Sequence, residues 1–251
     1  MRETDFVSGF ARGLRVIEAF GEAQPRLSIA DAAKITGLDR ATVRRSLLTL
    51  SELGYADYDG KFFTLTPRIL RLGHAYLSAT PLPTIVQPYL DQLSEKAGQS
   101  ASASVLDGTE IVYVARASQR RVMSINLTPG SRLPAYCASM GRVLLAALPE
   151  PEARAILARS ELRANTPKTK TDPEELMTEL SRVRAQGYAI IDQELELGLC
   201  SIAVPLMNAR NQVIAALNIG APAAHVAAAE LAERYLLLLK ETQAALRPLV
   251  Q

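Results

Sequence analysis

Apolar residues recur at Phe6, Phe10, Leu14, Ile17 and Phe20, at spacings of four and three, the repeat that gathers side chains on one face of an α-helix. The stripe predicts an amphipathic first helix that packs on neighbouring helices, on a partner subunit, or on both. Two shorter helical patterns follow. Ser28–Gly37 reads as a capped helix closed by glycine, and after Leu38-Asp39 the run Arg40–Gly54 reads as a second one. Tyr55–Tyr58 and Lys61–Leu65 then flank Asp59-Gly60, a pair that between apolar runs signals a hairpin. Helix, turn, helix and two-stranded wing make a winged helix-turn-helix, a layout that mostly binds DNA.

The second of these helices carries the chemistry. Val43, Leu47 and Leu50 form its core stripe, which sends Arg45, Ala41, Thr49 and Glu52 to the far side with Arg40 and Arg44 flanking. The first two turns are thus expected to offer short side chains (Ala41, Thr42) and arginines to solvent. Recognition helices read base edges from their N-terminal residues, and arginine can pair bidentately with guanine or neutralise phosphate. The candidate DNA-binding residues are Ser28, Arg40, Ala41, Thr42, Arg44 and Arg45, with Lys61 on the wing. A merely solvated basic face is the plainer alternative.

Beyond the wing, Pro67 opens a helical stretch through about Ala79, and Thr80-Pro-Leu-Pro83 breaks it. The expected organisation is a DNA-binding domain over 1–66, a linker helix over 67–83 and a second domain over 84–251. That domain starts with a helix from about Thr84 to Ala97. Strands are expected at Ala101–Leu106, Glu110–Arg116, Val122–Leu127, Tyr188–Asp192, Ser201–Leu206 and Val213–Ile219. Helices are expected from about Ser139, at Glu150–Ser160, at Pro173–Gln186 and at Ala224–Leu246, the last with Leu231, Tyr235, Leu238 and Ala245 on one face. Strands grouped around helices, with hairpins, indicate an α+β class and a largely antiparallel sheet.

Composition narrows the class. The 251 residues suffice for a small head and one further domain. A net charge of +2 is modest for a DNA binder, so affinity must come from placed arginines and from dimerisation. Two cysteines fit a reducing cytoplasm. The N-terminus lacks a signal-peptide core, and no apolar run approaches the ~18 residues of a membrane span, so neither export nor a membrane partner is expected.

Catalytic chemistry finds little support. His74 and His225 are the two histidines and lie far apart in the chain. Cys137 and Cys200 have neither CxxC spacing nor a nearby histidine, and no glycine-rich phosphate loop occurs. Asp192, Glu194 and Glu196 alternate in a strand or loop, where solvated or structural roles are the default. No metal site, cofactor or enzymatic activity is expected. The rival reading is an enzyme or metabolite-modifying domain carrying a DNA-binding head, and a weaker one is a constitutive architectural DNA binder.

From end to end the chain resembles the isocitrate lyase regulator (IclR) family of bacterial transcription factors. The resemblance rests on Gly13-Leu-Arg-Val-Ile-Glu18, Arg40-Ala-Thr-Val-Arg44, Leu53-Gly-Tyr55, Leu72-Gly73, Ala138-Ser-Met-Gly-Arg142 and Gly187-Tyr188. It continues through Asp192-Gln-Glu194, Gly198-Leu199, Ile202-Ala-Val-Pro205 and Ala216-Leu-Asn218. Leu72–Leu82, Arg132–Arg142 and Asp192–Leu206 are more similar to the branch that controls aromatic-acid breakdown through protocatechuate and β-ketoadipate. The resemblance implies a linker helix, a C-terminal effector-binding domain with a curved sheet, and dimers, often paired into tetramers. It also implies double-stranded operator DNA and a small organic acid as partners, with protocatechuate, 4-hydroxybenzoate and β-ketoadipate all open.

Such an acid needs donors for its carboxylate and an apolar wall. The helix from Ser139 offers backbone N–H groups and the positive end of its dipole through Ser139, Met140 and Gly141. Gly141 would permit close approach, and Tyr136 and Met140 would supply wall. Ser201 and Asn218 offer neutral hydrogen bonds, while Asp192 and Glu194 would fix a hydroxyl or simply hold their loop. The resemblance places Leu199, Ser201 and Asn218 in the pocket. Many relatives carry cysteine where Ser201 stands, whereas here the cysteine is Cys200. The plainer alternative is that Ser139 caps its helix and Asn218 ties a strand.

Overall fold

A computed structural model describes residues 6–21, 24–118 and 127–250, in two compact units that divide between Thr80 and Pro81. The first unit holds α1 (Ser8–Glu18), β1 (Arg26–Leu27), α2 (Ile29–Thr36), α3 (Arg40–Glu52), β2 (Ala56–Tyr58), β3 (Phe63–Leu65) and, after a single 3-10 turn, α4 (Leu70–Ala79). Local signals account for the helix ends. Ser28 and Asp31 exchange hydrogen bonds as a capping box, Gly37 takes a left-handed φ of 68°, and Asp39 accepts from the Thr42 N–H at 2.8 Å. Val16, Leu27, Ala32, Val43, Leu47, Leu50, Ala56 and Phe63 form the core.

Two details differ from expectation. The expected stripe meets this core only at its C-terminal end: Ile17 and Phe20 lie partly buried against it beside the buried Val16, while Phe6 and Phe10 are more than half exposed. The wing is a three-stranded sheet, β1-β3-β2, with a four-residue loop between Tyr58 and Phe63 in place of a two-residue turn. Asp59 closes that loop by accepting from the N–H groups of Lys61 and Phe62.

The second unit opens with α5 (Leu82–Ala97) and the hairpin β4 (Ser100–Asp107) and β5 (Glu110–Ala117). There follow β6 (Arg132–Pro134), α6 (Ser139–Ala147), α7 (Glu150–Arg159), α8 (Pro173–Gln186), β7 (Ala189–Asp192), β8 (Leu199–Met207), β9 (Val213–Pro222) and α9 (Leu231–Leu246). The strands make one curled, wholly antiparallel sheet in the order β6-β5-β4-β9-β8-β7. The strand expected at 122–127 lies outside the described residues apart from Leu127. α9 starts later than expected, after a 3-10 turn at Ala228–Glu230, and buries Leu239 and Leu246 where Leu238 and Ala245 were expected.

Alternation along the strands gives the sheet two buried faces. Ala101, Ala103, Ile202, Val204, Leu217 and Ile219 face α5 and α9. Tyr113, Ala203 and Ala216 face α6 and α8. A β-bulge breaks the alternation on β5. Ala103 pairs with Ala115 and Ser104 with Tyr113, so Val114 is the extra residue. Tyr113 and Arg116, three positions apart, consequently share the α6 face.

Candidate functional site

In the first unit, Arg40, Ala41, Arg44 and Arg45 are exposed along the start of α3. Thr42 is corrected: it is buried, 7% exposed, and its Oγ1 lies 3.5 Å from Arg45 Nη2. One residue advances a helix by about 100°, enough to turn Thr42 from the open face into the core flank. Ser28 is half-buried, and its hydroxyl donates to Asp31 at 2.6 Å within the capping box. Arg45 is less central than expected, since it lines a groove with Phe10, Gly13 and Leu14 of α1.

On the wing, Lys61 is exposed and its ammonium stands 5.1 Å from the Phe62 ring centroid. Arg26, not anticipated as a candidate, lies 4.6 Å from the same ring. Its two-residue strand was too short to show as a pattern. Hydrogen bonds from Ser28, Thr42 and Phe62 hold Asp31, Asp39 and Asp59 respectively below the usual carboxylate range.

In the second unit, a narrow cleft opens between the sheet and the start of α6, with a cavity of about 30 Å³ within about 450 Å³ of space that counts its open mouth. Ser139, Met140, Leu199, Ser201 and Asn218 line it, as do Ala138 and Leu195. The Ser201 hydroxyl donates to that of Ser139 at 2.9 Å, joining β8 to the first residue of α6. Ser139 therefore does not cap its helix; Ala138 is the N-cap and no side chain bonds there. The first-turn N–H groups of a helix have no intrahelical acceptor and carry its positive dipole end.

Arg116 was missed. It lines the cleft half-buried, with Nη1 donating to Ser102 Oγ at 2.9 Å and Nε to Ser118 Oγ at 3.0 Å. Burial lowers its affinity for a proton, and no described carboxylate pairs with it. Strand alternation would send Arg116 to the face opposite Tyr113; the bulge at Val114 returns it, and no local sequence signal marks that bulge. Tyr113 also lines the cleft, its hydroxyl pushed up to about 12 by burial, so it stays neutral. Leu127 and Leu133 add apolar wall.

Four other candidates do not line the cleft. Tyr136 is buried elsewhere, its hydroxyl donating to the Arg163 carbonyl at 2.6 Å. Gly141 turns its Cα to the backbone of Ala135, where a Cβ would fall 2.2 Å from the carbonyl oxygen; its small size admits a chain segment and not a ligand. Asp192 pairs with Lys168 at 2.7 Å, which holds its carboxyl below the usual range, and it also accepts from the Cys200 thiol at 3.3 Å. Glu194 holds its loop: it is buried against Arg142 at 2.6 Å and accepts the Lys170 N–H at 3.0 Å. Arg142 Nη1 has no hydrogen-bond partner, only Glu179 at 3.9 Å.

Burial raises the thiols of Cys137 and Cys200 to about 12 and about 11, far from a reactive thiolate. Among the described residues no three His, Cys, Asp or Glu side chains cluster for a metal ion, and no helix is long and apolar enough to cross a membrane.

Comparison with known proteins agrees with this layout. Residues 10–60 match the IclR helix-turn-helix domain, and residues 74–247 match the bacterial transcriptional regulator IclR C-terminal domain. The Pca regulon regulatory protein of Pseudomonas putida is 48% identical over 238 residues, 94% of this chain and 82% of its own. An IclR homologue from Microbacterium hydrocarbonoxydans, solved with 4-hydroxybenzoate, is 25% identical with a TM-score of 0.77, covering 95% of this chain and 97% of its own. The inducer-binding domain of a PobR double mutant from Acinetobacter, solved with 3-hydroxybenzoic acid, is 35% identical with a TM-score of 0.63. It covers 67% of this chain and 98% of its own.

Proposed function

We propose a mode of action for a chain that belongs to the IclR family of bacterial transcriptional regulators: a small aromatic acid enters the cleft of the C-terminal unit and changes the grip of the N-terminal unit on operator DNA. The observation that carries this reading is Arg116, a half-buried cation facing the cleft with no described carboxylate to neutralise it. An acid supplies that charge, and the start of α6 favours the same sign. Met140, Leu195 and Leu199 give its apolar body a wall. Relatives solved with hydroxybenzoates support the aromatic class.

On the DNA side, Arg40, Ala41, Arg44 and Arg45 of α3 meet the major groove and Lys61 takes a phosphate, whereas Ser28, whose hydroxyl and N–H both donate to Asp31, serves its helix cap. A homodimer, alone or paired into a tetramer, reads two half-sites. The acid acts through its unequal affinity for the DNA-competent and incompetent arrangements, and is returned chemically unchanged. Control of genes for aromatic-acid breakdown follows from the Pca regulon relative.

Ser201→Leu tests the reading. Leucine fills the cleft floor beside Ser139 and is expected to abolish the effect of 4-hydroxybenzoate and protocatechuate on operator affinity while leaving acid-free DNA binding nearly intact. Titrations of labelled operator with each protein, with and without acid, check this. A full response in the leucine variant would place the effector elsewhere.

A further inference from the structure

Asn218 is an anomaly on the floor of the cleft. The residue is only 8% exposed, yet its side-chain amide makes no hydrogen bond to any described residue, and Oδ1 is sealed from solvent without a partner. A buried amide left unpaired is costly, and a native structure that retains one calls for an explanation. Neighbouring positions do not supply a partner. Asn218 pairs across the sheet with Ser102 on one side and Ala203 on the other. The Ser102 hydroxyl accepts from Arg116 and keeps a proton to donate, yet no hydrogen bond joins it to Asn218 Oδ1. Alanine brings no polar group, and Gly220, the next residue on this face of β9, brings no side chain.

Register puts Arg116 and Asn218 in one row. Arg116 pairs with Ser102, and Ser102 with Asn218, so two strand spacings, about 9.5 Å, separate their backbones. A charge seeking an anion stands at one end of that row and an amide seeking a partner at the other. A carboxylate or ketone can only accept, so neither completes the Asn218 oxygen. A hydroxyl donates to Oδ1, the bond this oxygen lacks, and can accept from Nδ2 as well.

Resting on the reading that the cleft takes an organic acid, we infer that Asn218 determines specificity: it bonds a ring hydroxyl of the acid whose carboxylate Arg116 holds. The effector class is then hydroxylated aromatic acids, and acids with acceptors only, such as ring-opened dicarboxylates, are discriminated against. A site built to bond a hydroxyl rejects the analogue that lacks it, because its own polar group is left bare.

Calorimetric titration of the full chain with benzoate, 3-hydroxybenzoate, 4-hydroxybenzoate, 3,4-dihydroxybenzoate and adipate provides the test. The wild type is expected to bind at least one hydroxybenzoate at least about tenfold more tightly than benzoate or adipate. Asn218→Leu should bring that ratio to near one while benzoate affinity persists, and Asn218→Ala should do the same should leucine fit poorly. Arg116→Gln should weaken all the acids together and keep the ratio. Thermal unfolding without ligand separates a structural role, since loss of an unpaired amide leaves the melting temperature unchanged or raised. A preference that survives both Asn218 substitutions, or a wild type that binds adipate as well as hydroxybenzoates, overturns the inference and leaves the acid-binding reading standing. A wild type that binds none of the acids overturns both.

Discussion

Gly141→Ala is a one-carbon change with a large expected effect. A Cβ at this position would lie 2.2 Å from the Ala135 carbonyl oxygen, 2.5 Å from its Cα and 2.6 Å from its carbonyl carbon. All three are backbone atoms, so no side chain can swing aside; α6 or the 3-10 turn at Ala135–Cys137 must shift by about an ångström to restore ordinary contact. Overpacking of this kind costs about 1–3 kcal/mol, and the absence of a flexible neighbour argues for the upper end. Alanine returns about 1 kcal/mol through helix propensity, which leaves a net loss of about 2 kcal/mol. For a unit of this size that lowers the melting temperature by about 4–8 °C. Scanning calorimetry of the full chain reads it as a fall in the transition of the C-terminal unit. Effector affinity should fall as well, because Ser139 and Met140 move with α6. An unchanged or raised melting temperature would show that helix propensity outweighs the contact and refute the packing role given to Gly141.

Arg45→Ala should weaken operator binding by about 1–3 kcal/mol and relax preference at one base pair per half-site without unfolding the head; a uniform loss with a smaller salt slope would instead mark a phosphate contact, and unchanged affinity would count against docking by α3. Arg142→Leu strands the buried Glu194 carboxylate and should destabilise by about 3–5 kcal/mol. Replacing both residues with leucine should recover much of that loss in urea denaturation, and failure to recover would mean that packing matters more than charge. Asp39 has its folded pKa held below the ordinary 3.8 by its bonds to Thr42, so its contribution is present above that value and is lost as pH falls through the lower folded one. Asp39→Asn keeps the cap and should flatten part of the acid-induced loss of helix followed by circular dichroism; an identical acid profile would remove Asp39 from the account.

The sequence by itself determined the elements whose ends are marked locally. Ser28 and Asp39 cap their helices through side chains two or three residues from the N–H groups they satisfy, and Gly37 stops α2 because it accepts a left-handed φ. Short apolar runs marked β4, β8 and β9, and the resemblance to the IclR family singled out Ser201 and Asn218, which both line the cleft. Chemistry suited to an anion at the start of α6 led to Ser139 and Met140, which line the cleft. Tertiary structure alone decided the rest. Which side of α1 is buried depends on what packs against it: Phe6, Phe10 and Leu14 of the stripe stay exposed, Ile17 and Phe20 pack at the edge of the core, and Val16, outside the stripe, is buried within it. Gly141 carries the same sequence signal whether its partner is a ligand or the Ala135 backbone, and only folding distinguishes the two. Arg116 was hidden for the strongest reason: strand parity is a local rule, and the bulge that reverses it arises from register against a neighbouring strand, so the charge facing the cleft was set by a pairing that no stretch of β5 encodes alone.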